Sequence, residues 1–195
     1  MALKMEVKIP KDRIGALIGK GGKIKEAIER ECGVKMEVDS GTGDVIVSTE
    51  DQANLVGLNK ALNIAKAIGR GFSYERAKAL YDDEYMLDII DLTDYAGKSE
   101  SNLVRIKGRI IGADGKARRI IEELTDTYIS VYGHTVSIIG KADDVKAARE
   151  AVEALAQGSL HKTVYERLQR RRSRMKMEKL QLWERRGEEF EGDIF

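Results

Sequence analysis

The sequence predicts an α+β fold in which one unit, of order β-α-α-β-β-α, is used twice and followed by a basic C-terminal helix. Three observations predict it. Short stretches of strand period alternate with longer ones of helical period along the whole chain. A Gly-x-x-Gly tetrapeptide occurs twice, as Gly19-Lys20-Gly21-Gly22 and Gly112-Ala113-Asp114-Gly115, each after an apolar run and before a basic, helix-forming one. Residues around the two correspond at a constant offset of 93: Ile18 with Ile111, Ile28 with Ile121, Met36 with Ile129 and Val38 with Val131. Self-similarity over that distance marks one supersecondary unit repeated.

Residues 3–9 alternate as Leu3, Met5, Val7 and Ile9 with charges between them, the period of a half-buried strand. Pro10, the only proline, ends it and opens a short helix over residues 11–18. After the first tetrapeptide, Ile24, Ala27, Ile28 and Cys32 stand at helical spacing over residues 23–32, and Gly33 stops that helix. Val34, Met36 and Val38 then alternate, Ser40-Gly41-Thr42-Gly43 turns, and Val45-Ile46-Val47 returns as the second arm of a hairpin. Asp51 is expected to open a long helix to about Ile68, with Leu55, Leu58, Leu62 and Ala65 in one stripe.

Residues 69–71 break the pattern, 72–81 read as a short helix, and 85–95 read as a strand centred on Ile89 and Ile90. The second unit continues with helices over 101–111 and 116–125. A hairpin of 129–132 and 136–139 crosses Gly133-His134, with a turn two residues shorter than that of the first unit. A last helix runs from about Asp143 to near Gly158. Residues 161–186 read as helix with ten basic residues against three acidic ones, and 188–195 as a polar tail. The expected organisation is a first domain over 1–70, a linker helix over 71–82, a second domain over 83–158, and a C-terminal helix and tail over 159–195. Short connections without a Gly/Ser-rich linker predict that the two domains dock.

With 34 Lys and Arg against 33 Asp and Glu, the net charge is only +1, so nucleic-acid affinity has to come from local clustering. That clustering coincides with the tetrapeptides: residues 11–25 hold five bases and one acid, residues 105–119 six bases and one acid, and residues 82–94 are acidic. One cysteine, Cys32, excludes an intramolecular disulfide and fits a reducing, cytoplasmic setting. No stretch has the length of a membrane span, and no signal peptide precedes Met5.

His134 and His161 have no Cys, His or paired carboxylate at ligand spacing, and His134 reads as a turn residue that tolerates positive φ. Neither tetrapeptide has the gap of a Walker A loop, and Ile24 stands where a dinucleotide fingerprint needs its third glycine. No metal, cofactor or enzymatic activity is expected. A glycine pair at a break between helices brings backbone close to a guest, and the following helix start offers unpaired N–H groups and a positive dipole end. The guest that suits such a place is a phosphate.

Ile18-Gly19-Lys20-Gly21-Gly22-Lys23-Ile24, within a βααββα order, resembles the type I KH domain. Ile111-Gly112-Ala113-Asp114-Gly115-Lys116-Ala117 resembles it with two departures: Ala117 replaces the usual Ile, and Asp114 stands where Lys or Arg is common. The resemblance implies two tandem KH domains, each a three-stranded antiparallel sheet with three helices, that clamp about four nucleotides of single-stranded nucleic acid at each loop.

Gly71-Phe72-Ser73-Tyr74-Glu75-Arg76-Ala77, Asp82-Asp83-Glu84-Tyr85 and Gly108-Arg109-Ile110-Ile111-Gly112 are similar to the archaeal members of the Dim-two/Pno-one ribosome assembly factors over nearly the whole chain. That similarity implies binding to the 3′ end of small-subunit ribosomal RNA during maturation. It also implies as partners the processing endonuclease and the alpha subunit of initiation factor two. The runner-up reading is a protein-interaction scaffold built from KH folds without high RNA affinity.

Gly19, Lys20, Gly21, Gly22 and Lys23 are expected to form one clamp, and Gly112, Ala113, Asp114, Gly115 and Lys116 the other. Arg13, Lys25, Arg105, Arg109, Arg118 and Arg119 are the expected phosphate contacts. Ile14, Ile18, Ile110 and Ile111 have two readings, base-facing or core, while Lys35 and Ser130 are candidates for base edges. The C-terminal helix also has two readings. It is a phosphate-contacting arm, or it docks through Leu168, Met175, Leu180 and Trp183 with a basic outer face; docking is slightly preferred.

Overall fold

The computed structural model describes residues 3–51 and 53–192, with side chains in the last helix described through Trp183. The first unit runs β1 (Leu3–Lys8), α1 (Lys11–Ile18), α2 (Lys23–Cys32), β2 (Lys35–Val38), β3 (Asp44–Thr49) and α3 (Leu55–Gly69). A short α4 (Tyr74–Ala77) and a 3-10 turn (Lys78–Tyr81) lead to β4 (Tyr85–Asp91) and α5 (Thr93–Ala96). The second unit continues with α6 (Glu100–Ile111), α7 (Lys116–Thr125), β5 (Tyr128–Tyr132), β6 (Thr135–Lys141) and α8 (Ala142–Ala156), and the chain closes with α9 (His161–Gly192). Both sheets are antiparallel, with orders β1-β3-β2 and β4-β6-β5. In each unit the third strand is therefore central, and the strand after the tetrapeptide-bearing helices is an edge.

One face of the first sheet packs Met36, Val45 and Val47 against Leu17, Ile28, Leu58 and Ile64 of the helices. Its other face carries Lys4, Glu6 and Lys8 and is exposed along β1. The second sheet is covered on both sides. Ile90, Ile129, Val136 and Ile138 join Ile106, Ile121 and Val152 in one core. On the opposite face Ile139, with Tyr85 and Leu87 packed around it, enters the core of the first unit beside Phe72 and Leu80. The units share an apolar interface and do not merely adjoin.

Polar contacts frame that interface. The Ser130 hydroxyl donates to Arg70 O at 2.9 Å, and the Tyr132 hydroxyl donates to the Asp12 carboxylate. Arg76 reaches Glu122 at 2.9 Å and lies over the Tyr128 ring, 5.2 Å from its centre. At Gly71 (φ +95°) an added Cβ would stand 2.7 Å from Ser130 Oγ, so glycine lets the linker pass over the sheet.

Several elements differ from expectation for local reasons. α3 is capped by Asn54, not Asp51: Asn54 accepts from Gly57 N at 3.1 Å while its amide donates to Cys32 O (2.9 Å) and Gly33 O (3.0 Å). Asp51 instead closes a turn by accepting from Ala53 N at 2.9 Å. The strand expected over 85–95 ends at Asp91, whose carboxylate accepts from Thr93 N (2.9 Å) and the Thr93 hydroxyl (2.7 Å) and turns the chain into α5. Those donors hold the Asp91 carboxyl below the usual range. The segment 72–81 divides into α4 and a 3-10 turn. At the hairpin Gly133, not His134, takes the positive φ, +56°.

α9 is helical through Gly192, so residues 188–192 are not the tail expected, and 193–195 lie outside the described residues. It lies against α7 and α8 through Val164 and Leu168, both buried, with Arg167 paired to Glu150 (2.6 Å) and Arg171 to Asp144 (2.9 Å). Leu180 and Trp183, expected in the docked face, are exposed, because α9 runs antiparallel to α8 and has passed its first turn by Arg171. Among the described residues no helix is long and apolar enough to cross a membrane.

Candidate nucleic-acid interface

Both tetrapeptides form the same left-handed turn. Gly19, Gly21 and Gly22 have φ of +73°, +64° and +79°; Gly112, Asp114 and Gly115 have +71°, +51° and +76°. Asp114 holds the conformation of Gly21 with an L side chain, which Asp tolerates better than most residues. Gly22 N donates to Gly19 O and Gly115 N to Gly112 O, each at 3.2 Å. The first glycine of each tetrapeptide serves close packing: a Cβ at Gly19 would stand 2.6 Å from Ile24 Cγ1, and one at Gly112 would stand 2.7 Å from both the Cβ and the backbone N of Ala117. Gly21, by contrast, has open space where a Cβ would go.

Lys20, Gly21 and Lys23 are exposed, as are Ala113, Asp114 and Lys116. Among the described residues no side chain caps the start of α2 or α7, so the positive end of each helix dipole points into its loop; α2 has one acid, Glu26, in its first turn and α7 none.

The flanking cations divide into free and engaged. Lys20, Lys23, Arg105 and Lys116 make no ion pair or side-chain hydrogen bond among the described residues. Arg13 and Arg109, expected as phosphate contacts, are turned to the backbone. Arg13 donates to Ile68 O (2.9 Å) and Phe72 O (2.7 Å) at the end of α3; Arg109 donates to Leu155 O (3.0 Å) and Ser159 O at the end of α8. Each guanidinium thus ties the helix before the tetrapeptide to one of the last carbonyls of the unit's third helix, the end where a cation is favoured, and to one carbonyl just beyond it. His161 adds to the second of these ties, its Nε2–H donating to Arg109 O at 2.8 Å. Arg119 donates to Asp114 O at 2.7 Å and braces the second loop.

Lys25 and Arg118 lie 3.8 and 3.9 Å from the carboxylates of Glu29 and Glu122 on their own helices. These two glutamates are site residues that reading the sequence missed. Glu29 accepts from Met36 N and Glu122 from Ile129 N, each at 2.7 Å, binding the helix after the tetrapeptide to the edge strand beside it. Their signal was present, since they too stand 93 apart. Helix, tetrapeptide and strand edge are thereby held at fixed spacing in both units.

Ile14 and Ile110 are buried core residues, and Ile18 and Ile111 are half-buried. Lys35 is exposed on the β2 edge, whereas Ser130 is buried in the interface between units. Among the described residues no cluster of His, Cys, Asp and Glu could hold a metal ion.

The comparisons with known proteins agree with this architecture. Residues 4–70 match the KH domain, and residues 86–173 match the eukaryotic type KH domain, KH-domain type I. A KH domain-containing protein of Methanocaldococcus jannaschii is 46% identical over 93% of this chain and 80% of its own length. The pre-rRNA-processing protein PNO1 of Candida albicans is 31% identical over 90% of this chain and 66% of its own. Among solved structures, that of an a/eIF2alpha–aDim2p–rRNA complex from Pyrococcus horikoshii OT3 contains a similar chain, 45% identical, with a TM-score of 0.82 and coverage of 88% of this chain and 95% of that one. The two KH units, their order and their likeness to these proteins place the chain in the Dim2/Pno1 family of tandem KH-domain proteins.

Proposed function

We propose that the protein is a single-stranded RNA-binding ribosome assembly factor that holds the 3′ end of small-subunit ribosomal RNA. Its protein partners would be the alpha subunit of initiation factor two and the processing endonuclease. The carrying observation is the pair of exposed left-handed glycine turns, each opening an uncapped helix start beside a free lysine. The likeness to an aDim2p crystallised with rRNA and a/eIF2alpha supports the choice of RNA and of the first partner. The likeness to a pre-rRNA-processing protein supports the setting. Buried, unpaired Cys32 supports a reducing compartment such as the cytoplasm. In this reading Gly19 to Lys23 and Gly112 to Lys116 receive the RNA backbone, and no chemical step is performed.

The test is binding of a labelled RNA ending in the small-subunit 3′ sequence, against a scrambled control. The variant is Lys20→Asp/Gly21→Asp. It keeps the fold, because Asp114 already occupies the equivalent left-handed position. Replacing a charge-assisted phosphate contact by a repelling carboxylate lowers affinity by roughly 30-fold. Equal, weak binding of both RNAs by wild type and variant would leave only the scaffold reading.

A further inference from the structure

We propose that the projecting half of α9 is a third RNA-binding element, an arm that takes single-stranded RNA beyond the two loops by phosphate contact and by stacking on Trp183. The proposal rests on the RNA-binding reading above and adds a site to it. α9 has two halves of different character. Up to Met175 it is docked: Val164 and Leu168 are buried, and Arg167 and Arg171 are neutralised by Glu150 and Asp144 of α8. From Lys176 through Trp183 every side chain is exposed. The exposed residues 176–183 alone span about 12 Å at 1.5 Å per residue, and the helix continues to Gly192.

Two features of the arm, together with the outer face of the docked turn that leads into it, fit a polyanion. Arg170, Arg172, Arg174, Lys176 and Lys179 are all exposed and form no ion pair among the described residues, and residues 170–183 contain one acid, Glu178. Within this set stands Trp183, 78% exposed, an aromatic face of the kind on which unpaired bases stack. A protein helix is a poorer occupant. The stripe that docks Val164 and Leu168 onto the domain runs on at helical spacing through Met175 to Lys179, where a cation with no ion pair among the described residues interrupts the apolar seam a partner helix would need. Nucleic acid accepts that interruption.

Trp183 is the only tryptophan in the chain, so its emission reports on the arm alone. The full chain is titrated with an RNA of about eight nucleotides, enough for both loops at about four each, and with one of about thirty. Anisotropy of the labelled RNA and tryptophan emission are followed together. The longer RNA is expected to quench Trp183 with the midpoint seen by anisotropy, and the shorter one to bind without quenching.

Replacing Arg172, Arg174, Lys176 and Lys179 together by Ala is expected to weaken the longer RNA by tenfold or more. It should lower the slope of log affinity against log salt by about 3, at about 0.7 per phosphate contact, and leave the shorter RNA within about twofold. Tight binding of the longer RNA with unchanged Trp183 emission and an unchanged salt slope would overturn the arm and leave the loops standing. A Trp183 response to a protein partner but to neither RNA would also overturn it. Quenching by the longer RNA, with no binding of the shorter one and no effect of Lys20→Asp/Gly21→Asp, would uphold the arm and overturn the loops.

Discussion

The first tetrapeptide and the second have the same backbone and a different distribution of charge. Residues 20–26 and 113–119 each hold three bases and one acid. In the first, Lys20 sits in the turn and Glu26 on the helix; in the second, Asp114 sits in the turn and Arg119 on the helix, from which it reaches back to the Asp114 carbonyl. Equal net charge therefore produces one loop that presents a free cation at its tip and one whose cations stand behind it. The sheets differ in the same spirit: the first turns a polar face outward, and the second is apolar on both faces because the first unit lies on it. Duplication kept the geometry and allowed each copy a separate surface.

The two loops are expected to differ most at their glycines. Gly112→Ala drives a Cβ against the backbone N of Ala117, which cannot move aside, at φ +71°. The expected loss is about 3 kcal/mol, read as a fall in thermal midpoint. Gly19→Ala meets only the Ile24 side chain and should cost less, and Gly21→Ala, with open space around it, about 1 kcal/mol for the left-handed backbone alone. Equal losses at Gly112 and Gly21 would mean that close packing does not distinguish the two positions.

Next in size is the reciprocal exchange. Ala113→Lys/Asp114→Gly gives the second loop the tip of the first. If tip charge is what separates them, RNA affinity rises roughly tenfold, measured by anisotropy at fixed salt. An unchanged affinity would show that Arg119 and Lys116 already do the work from behind the loop.

A smaller effect sharpens the contrast between the sheets. Ser137 is fully buried on β6, and its hydroxyl has no hydrogen-bond partner among the described residues. Ser137→Ala should stabilise the protein by about 1 kcal/mol, seen as a higher urea midpoint at unchanged m value. A lower midpoint would mean that the hydroxyl finds a partner in solution.

The smallest difference lies at the end of the helix after each loop. The second unit has Thr125 there, bonded to Ile121 O at 2.7 Å; the first has Cys32, whose thiol is pushed up to about 11 by burial. At pH 8 about one thiol in a thousand is ionised, so alkylation should be slow in the native protein and fast after denaturation. Rapid native alkylation would show that the end of α2 opens readily.

Local pattern was legible because local chemistry caused it. The offset of 93 marked both loops, and strict alternation in Leu3, Met5 and Val7 marked a sheet with one wet face. Adjacent pairs Ile89-Ile90 and Ile138-Ile139 carried the opposite message, that the second sheet is dry on both faces, without saying what covers it. Asn54 displaced Asp51 as a cap because it also reaches two carbonyls at the end of α2, a gain that no reading of the cap residues alone would weigh.

The order of elements and the left-handed turns were determined by the sequence itself, since each depends on residues within a few positions of one another, and the offset of 93 marks the same local pattern used twice. Which cations remain free was decided only by tertiary structure. Arg13 and Arg109 stand among the basic residues beside the loops, yet their partners are carbonyls 55 and 46 residues away. A charge is available to a ligand only if folding brings it no better acceptor, and those acceptors come from distant segments that assemble around it.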